Sequence, residues 1–326
     1  MPYKLKDPVR HKFTKQSYNK RDWKAYEEGL RNRGDLTIWF CGDAVAAWNH
    51  CDNEKRKRGR QRQYSDLAIE TSHTIRLVYK QALRQTEGLM RSIAELMKLD
   101  LAIPDHTTLS RRSRRVLLRK KSLPKGSVVL IVDSTGLKVV GEKEWMTHKH
   151  GTRQRRVWRK LHLCINEHGD ILSATLTSHI ESDTGQVGNL LANIEGPVCE
   201  LLGDGGYDSP ATYEALEAHE KRSNQNRPIK ALIPPNIGFQ EAKETDSTQR
   251  LGNIHLIEDK GKLSWQNQMD YGRRARVENT MHRYKSIIGN KLRSKILESQ
   301  NTEVQIAAQI LNRMAHLGMP KAQKAA

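Results

Sequence analysis

Apolar residues change their spacing near residue 126. Before that point they recur every three or four positions, the period of a helix packed on one face. Trp23, Tyr26 and Leu30 predict a short helix, Leu36, Ile38 and Phe40 an extended piece, and Val45 and Trp48 a second helix. Ser65 is a good N-cap for a helix running to about residue 80, and Leu89, Ile93, Leu96 and Met97 sit at helical spacing in another over 83–99. Pro104-Asp105 breaks the chain, Asp105 or Thr107 can cap, and a third helix is predicted over 108–120.

Past Pro124-Lys125-Gly126 the pattern becomes that of strands. A continuous apolar run over 128–133 ends in Asp-Ser-Thr-Gly, where a turn is expected, and 137–140, 156–165 and 171–177 complete a meander of antiparallel strands. Then come a helix over 184–194, a short buried strand over 198–202 ending at Gly203-Asp204-Gly205-Gly206, a helix over 210–221 and a strand over 229–233 stopped by Pro234-Pro235. The period dissolves into polar residues over 236–270, an expected insertion, before strong helices near 271–289 and 302–317. Three strands, helix, strand, helix, strand, helix is the ribonuclease H-like order. The fold class is therefore α/β: a mixed sheet flanked by helices over 126–326, preceded by an all-α domain over 21–125 and a flexible basic arm over 1–20.

Charge adds a partner to this picture. The 326 residues hold 56 Lys and Arg against 37 Asp and Glu, a formal charge of +19, an excess that points to a polyanion. It is patterned: +15 over residues 1–130, +5 over 131–160, −11 over 161–220 and +10 over 221–326. Basic flanks around an acidic middle suggest DNA-gripping surfaces around a carboxylate-rich centre. The predicted third helix carries Arg111, Arg112, Arg114, Arg115, Arg119 and Lys120, so it fits the last helix of a helix-turn-helix entering a major groove. The alternative is a packing or dimerisation bundle whose final helix only touches phosphates. Residues 54–62, EKRKRGRQR, read as a solvated linker or nucleic-acid contact, and RQRRVWRK over 153–160 places Arg153, Arg155, Arg156 and Trp158 for phosphate contact.

No run approaches the 18 or more apolar residues of a membrane span, and no signal-peptide core follows Met1, so the reading is cytoplasmic with no membrane partner. The four cysteines, Cys41, Cys51, Cys164 and Cys199, form no Cys-x-x-Cys pair and indicate neither zinc nor a disulfide framework. His148, His150 and His162 lack metal spacing and are read as structural or phosphate-facing.

Carboxylates supply the candidate chemistry. Asp133 and Asp204 each close an apolar strand, and strands ending side by side would bring both to one sheet edge, where oxygen ligands suit Mg²⁺. Glu278 offers a third. On a helix, Tyr271, Arg274, Glu278 and Lys285 fall within a stripe about 60° wide. Spacing alone leaves open a solvated face with an Arg274–Glu278 pair four residues apart. Trp265 is placed to stack on an extruded base, or to plug a small core in the insertion. Trp145 is a weaker stacking candidate.

The segment YGRRARVENTMHRYK, from Tyr271 to Lys285, matches the Tyr-x2-Arg-x3-Glu-x6-Lys signature of bacterial insertion-sequence DDE transposases. VDSTGLKVVGEKEW, RVWRKLHL, GDGGYD and LIPP resemble blocks of the insertion-sequence-five family, and the resemblance spans roughly residues 22–319. It implies that Asp133, Asp204 and Glu278 are the catalytic metal ligands. It implies that Tyr271, Arg274 and Lys285 contact transposon-end DNA. Two Mg²⁺ ions, replaceable by Mn²⁺, would then serve an in-line displacement at phosphorus. The implied partners are transposon-end duplex, target DNA and a second copy of the chain, in a bacterial, nucleoid-associated setting. The competing readings are a ribonuclease H-like nuclease that cuts without joining, and a domesticated DNA-binding regulator.

Overall fold

The computed structural model describes residues 23–40, 42–49, 62–116, 126–139, 158–236 and 247–318. They fall into two units, a small one made by the chain's two ends (described over 23–38 and 313–318) and a large one, Trp39–Asn312. Short helices come first: α1 (Trp23–Asn32), α2 (Leu36–Trp39) and α3 (Gly42–Ala46). The extended piece expected over 36–40 is thus a helical turn, begun by Asp35, whose carboxylate accepts from the Thr37 N–H at 2.9 Å.

Three helices follow, α4 (Asp66–Val78), α5 (Leu83–Leu96) and α6 (His106–Arg112). Ser65 caps α4 by accepting from the Ala68 N–H, and Asp105 caps α6 by accepting from those of Thr107 and Thr108, as their side chains predict. These helices join the large unit: Ser113 Oγ lies 2.9 Å from Ser299 Oγ, and Arg293 donates to the carbonyl of Lys80.

The sheet strands are β1 (Val128–Val139), β2 (Trp158–Asn166), β3 (Ile171–Ser178), β4 (Val198–Leu202), β5 (Lys230–Leu232) and β6 (Lys291–Leu292). Their order is β3-β2-β1-β4-β5, with β6 beside the far end of β1. The first three pair antiparallel, while β4, β5 and β6 join parallel. This is the mixed sheet of the ribonuclease H-like order. Helices α7 (Gln186–Ala192) and α8 (Pro210–Ser223) cover one face, enclosing Val128, Leu130, Val132, Leu190, Leu201 and Leu216. Helix α11 (Ala275–Ile287) packs across β1 and β2, and α12 (Leu297–Gly318) follows it. Between β5 and α11 the polar stretch holds two helices, α9 (Thr248–Lys260) and α10 (Lys262–Gln268). Few apolar positions announce them, because they are tied down by polar groups: Arg250 Nε reaches both oxygens of buried Asp208 at 3.1 Å.

The turn expected at Asp-Ser-Thr-Gly does not form, and β1 runs through it. The partner strand decides this: Ser134 pairs with His162, Thr135 with Leu161 and Gly136 with Lys160 in unbroken antiparallel register. Gly136 suits the close approach there, since a Cβ would stand 3.3 Å from the Trp158 ring and force that ring to shift.

Candidate active site

Strand alternation sets the first carboxylate. Val132 points into the core under α7 and α8, so Asp133 faces the opposite side, toward α11. Parallel pairing of β1 with β4 ends at Ile131 and Leu202, two residues short of Asp133, while antiparallel pairing with β2 continues. The chain leaving β4 therefore turns away beside Asp133, and its second residue is Asp204. The Asp204 carboxylate caps a 3₁₀ turn, Gly205–Tyr207, by accepting from the Gly206 N–H at 3.0 Å. Gly206 permits this approach, because a Cβ would meet the same oxygen at 3.0 Å.

The third carboxylate comes from α11. The helical stripe is modified here: Tyr271–Arg274 form a 3₁₀ turn, and the α-helix begins only at Ala275. Residues three apart eclipse in a 3₁₀ turn, so Tyr271 and Arg274 still share a side. Arg274 stands among all three acids. Its Nη2 lies 2.9 Å from Asp133 Oδ2 and 3.7 Å from Asp204 Oδ2, and its Nη1 lies 2.6 Å from Glu278 Oε1. The Arg274–Glu278 pair expected on a solvated face exists, but the same guanidinium also reaches both aspartates.

Charge is unbalanced here, three carboxylates to one guanidinium. Burial, joined by Asp204 and Glu278, raises the Asp133 carboxyl above the usual range despite the Arg274 charge and the Ser134 N–H, which donates to Asp133 Oδ1 at 2.8 Å. For Arg274, burial acts against the charge, and Asp133, Tyr271, Asp204 and Glu278 together outweigh it and hold the guanidinium protonated. The guanidinium is thus favoured in its charged form, while burial, more than the neighbouring acids, disfavours the charged form of Asp133.

An all-oxygen donor set converging on a cation suits hard divalent ions rather than soft ones. As they stand, the three acids are spread around Arg274, and among the described residues no three ligating side chains are gathered closely enough to chelate an ion. Their oxygens are of the kind that hold a divalent cation, and Arg274 occupies the space between them.

The other sequence candidates divide. The Tyr271 hydroxyl donates to the Gly203 carbonyl at 2.8 Å, and burial pushes it up to about 12. Lys285 Nζ donates to Thr135 Oγ1 at 2.6 Å, two residues along β1 from Asp133. Thr135 went unread in the sequence; its only signal is the strand period that puts residues 133 and 135 on one face. Trp265 is fully buried, its Nε1 donating to Asn253 Oδ1 at 3.0 Å and its ring 5.1 Å from that of Tyr271. That corrects the stacking reading in favour of the insertion core, because no ring face is open to a base. Arg112 is also corrected: it pairs with Asp66 at 2.6 Å and donates to the Tyr64 carbonyl, so it ties α6 to α4. Arg111 and Arg115 are exposed. Trp158 packs over Gly136 with Lys138 Nζ 5.5 Å from its ring centre, a cation–π contact. His162 is buried, its Nε2 2.8 Å from Thr177 Oγ1. Arg153, Arg155, Arg156, Trp145, His148, His150, Arg119 and Lys120 lie outside the described residues.

Two family models, each described as a transposase DDE domain, match the chain, one over residues 31–142 and the other over 124–313. Among solved structures the chain is similar to a Drosophila P element transposase strand transfer complex, at 11% identity and a TM-score of 0.27, with 89% of this chain and 71% of that chain covered. The longer family match takes in more than half of the sequence, including Asp133, Asp204, Arg274 and Glu278. This chain belongs to the family of transposases that carry a DDE domain.

Proposed function

We propose that this DNA transposase, of the insertion-sequence-five group, binds the terminal inverted repeats of its own element, cuts the DNA at their ends and joins the freed 3′-hydroxyls to target DNA. The observation that carries the reading is the convergence of Asp133, Asp204 and Glu278, drawn from the middle of one strand, the exit of the next and a helix, on one cation. These three would hold two Mg²⁺ ions, for which Mn²⁺ would substitute. When bound, the ions would polarise the scissile phosphate and make the attacking water or 3′-hydroxyl more acidic.

The remaining side chains do the positioning. Lys285, steadied by Thr135, presents an ammonium beside Asp133 to a backbone phosphate. Arg274 exchanges its carboxylates for phosphate when end DNA and metal arrive, which accommodates both its observed pairing and a DNA-contact role. Tyr271, bound to the Gly203 carbonyl, holds the 3₁₀ turn against the strand exit that carries Asp204. Exposed Arg111 and Arg115 on and after α6, with Arg153, Arg155 and Arg156, would take up duplex phosphates. Two ends must be brought together, so the working form is a homodimer.

The test is incubation of the full chain with duplexes bearing the inverted repeats that flank its gene, plus Mg²⁺. A free 3′-hydroxyl at the end and a joined product are expected. Cleavage without joining would replace this reading with that of a nuclease, and binding without cleavage with that of a regulator.

A further inference from the structure

We propose that Asp183 is a positioning residue for the carboxylate centre, acting on Asp133 through Ser134. The inference rests on the reading of Asp133, Asp204 and Glu278 as cation ligands. Asp183 lies in the connection between β3 and α7, on the sheet face opposite to Asp133. Ser134 links the two faces: its N–H donates to Asp133 Oδ1 at 2.8 Å and its hydroxyl to Asp183 Oδ2 at 2.9 Å.

The carboxylate is held in turn from β2 and from its own connection. Lys160 Nζ donates to Asp183 Oδ1 at 3.0 Å and to the Glu181 carbonyl at 2.9 Å, and the Gln186 N–H donates to the Asp183 carbonyl at 3.1 Å. Below it lie two fully buried side chains. His162 Nδ1, without a hydrogen bond, stands 3.9 Å from Asp183 Oδ1. The Tyr207 hydroxyl faces Ser134 without forming a hydrogen bond of good geometry, and the charges of Asp183, Asp133 and Asp204 all act on it. Buried polar groups in proteins are almost always paired. His162 Nδ1 beside Asp183 and the Tyr207 hydroxyl beside Ser134 are exceptions, and they mark a polar cluster around the Ser134–Asp183 bond.

Tyr207 lies beside the second aspartate. It ends the 3₁₀ turn that Asp204 caps, and its ring packs against Gly203, the residue between β4 and Asp204. Asp183 therefore stands behind Asp133 and bonds its neighbour Ser134, and its charge also reaches Tyr207 on the Asp204 side. Groups that orient metal ligands from behind change metal affinity by about 10–100-fold when removed.

Mn²⁺ bound by the full chain, measured from loss of the free-ion paramagnetic resonance signal, tests this. Asp183→Ala is expected to weaken Mn²⁺ binding about tenfold or more while end-duplex affinity stays unchanged. Ser134→Ala is expected to shift it in the same direction, and the double variant to be no worse than Asp183→Ala alone, since both remove one linkage. Asp183→Asn keeps the shape and an acceptor for Ser134, so it is expected to restore most of the affinity and serves should the alanine variant fail to fold. Folded Asp183 variants with wild-type Mn²⁺ affinity, or additive losses with Ser134→Ala, would overturn the proposal. Asp133→Asn separates the two levels: if it leaves Mn²⁺ binding intact, the cation site itself is misassigned, whereas if it abolishes binding and Asp183→Ala does not weaken it, only Asp183 is.

Discussion

Arg274 and Asp133, 141 residues apart in sequence, form an ion pair with Nη2 2.9 Å from Oδ2. The pair puts the chain's own cation where three carboxylates meet. On the proposed function, the chain thereby supplies part of the positive charge that a metal held by these carboxylates would bring, and such a metal would compete with it. Replacing Arg274 by Gln is expected to raise Mn²⁺ affinity of the DNA-free chain by about tenfold, the equivalent of about 1.4 kcal/mol. It is also expected to weaken end-DNA binding. Metal titration and gel shift measure the two effects, and a drop in Mn²⁺ affinity would show that the guanidinium does not compete.

The carboxylates should act as a set. Asp133→Asn, Asp204→Asn and Glu278→Gln are each expected to lower end cleavage by about 10³-fold or more while leaving end binding largely intact. Because they share one site, double variants should lose little beyond the singles. Single-turnover cleavage measures this, and full activity in any one variant removes that residue from the set.

Lys285 is aimed rather than free. Lys285→Ala is expected to reduce the slope of log affinity for end DNA against log salt by about 0.9, one phosphate contact. Thr135→Val removes the hydrogen bond at 2.6 Å but keeps the charge, so its slope should fall less. Binding measured across a salt series separates these outcomes.

His73 gives the large unit an acid-sensitive point away from the carboxylates. Burial, with Arg76 nearby, lowers its pKa to about 4, against a carbonyl contact with Leu109 that acts the other way. The unfolded chain therefore binds this proton first as pH falls. The stability from neutral His73 is fully present above about pH 6.5 and is lost as pH falls toward 4, in total about 3 kcal/mol. His73→Gln is expected to flatten stability over that window. Urea unfolding across the same pH range checks it, and an unchanged slope would point to other groups.

The insertion hangs on a buried charge pair. The Asp208 side chain is fully buried and that of Arg250 nearly so, and breaking such a pair from one side costs about 3–5 kcal/mol. Tyr213 and the Asn236 N–H still bond to Asp208, so Arg250→Met should sit at the low end, lowering Tm by about 10 °C. Calorimetry gives the shift directly.

Much of this was readable in residue order. The strand Val198–Leu202 and the caps at Ser65 and Asp105 follow from local chemistry: an apolar run bounded by glycines, and side-chain oxygens within reach of the next free N–H groups. The signature from Tyr271 to Lys285 pointed to the residues that meet at the site. Elsewhere local signals were overruled. Asp-Ser-Thr-Gly has turn composition, yet β2 supplies a continuous row of partners and holds it in a strand. Trp265 and Arg112 carry the right groups for nucleic acid, but Asn253 and Asp66 claim them inside the protein.

The sequence by itself determined where most strands and helices lie and the order of elements, because hydrophobic period and capping are local properties, while the three carboxylates were singled out by resemblance to a family signature. Only the tertiary structure decided that β1 passes through Asp133 unbroken, that Arg274 holds three acids at once, and that Ser134 and Asp183 stand behind them. Those outcomes depend on strand register and on contacts between residues 49 to 141 positions apart, which no local pattern encodes.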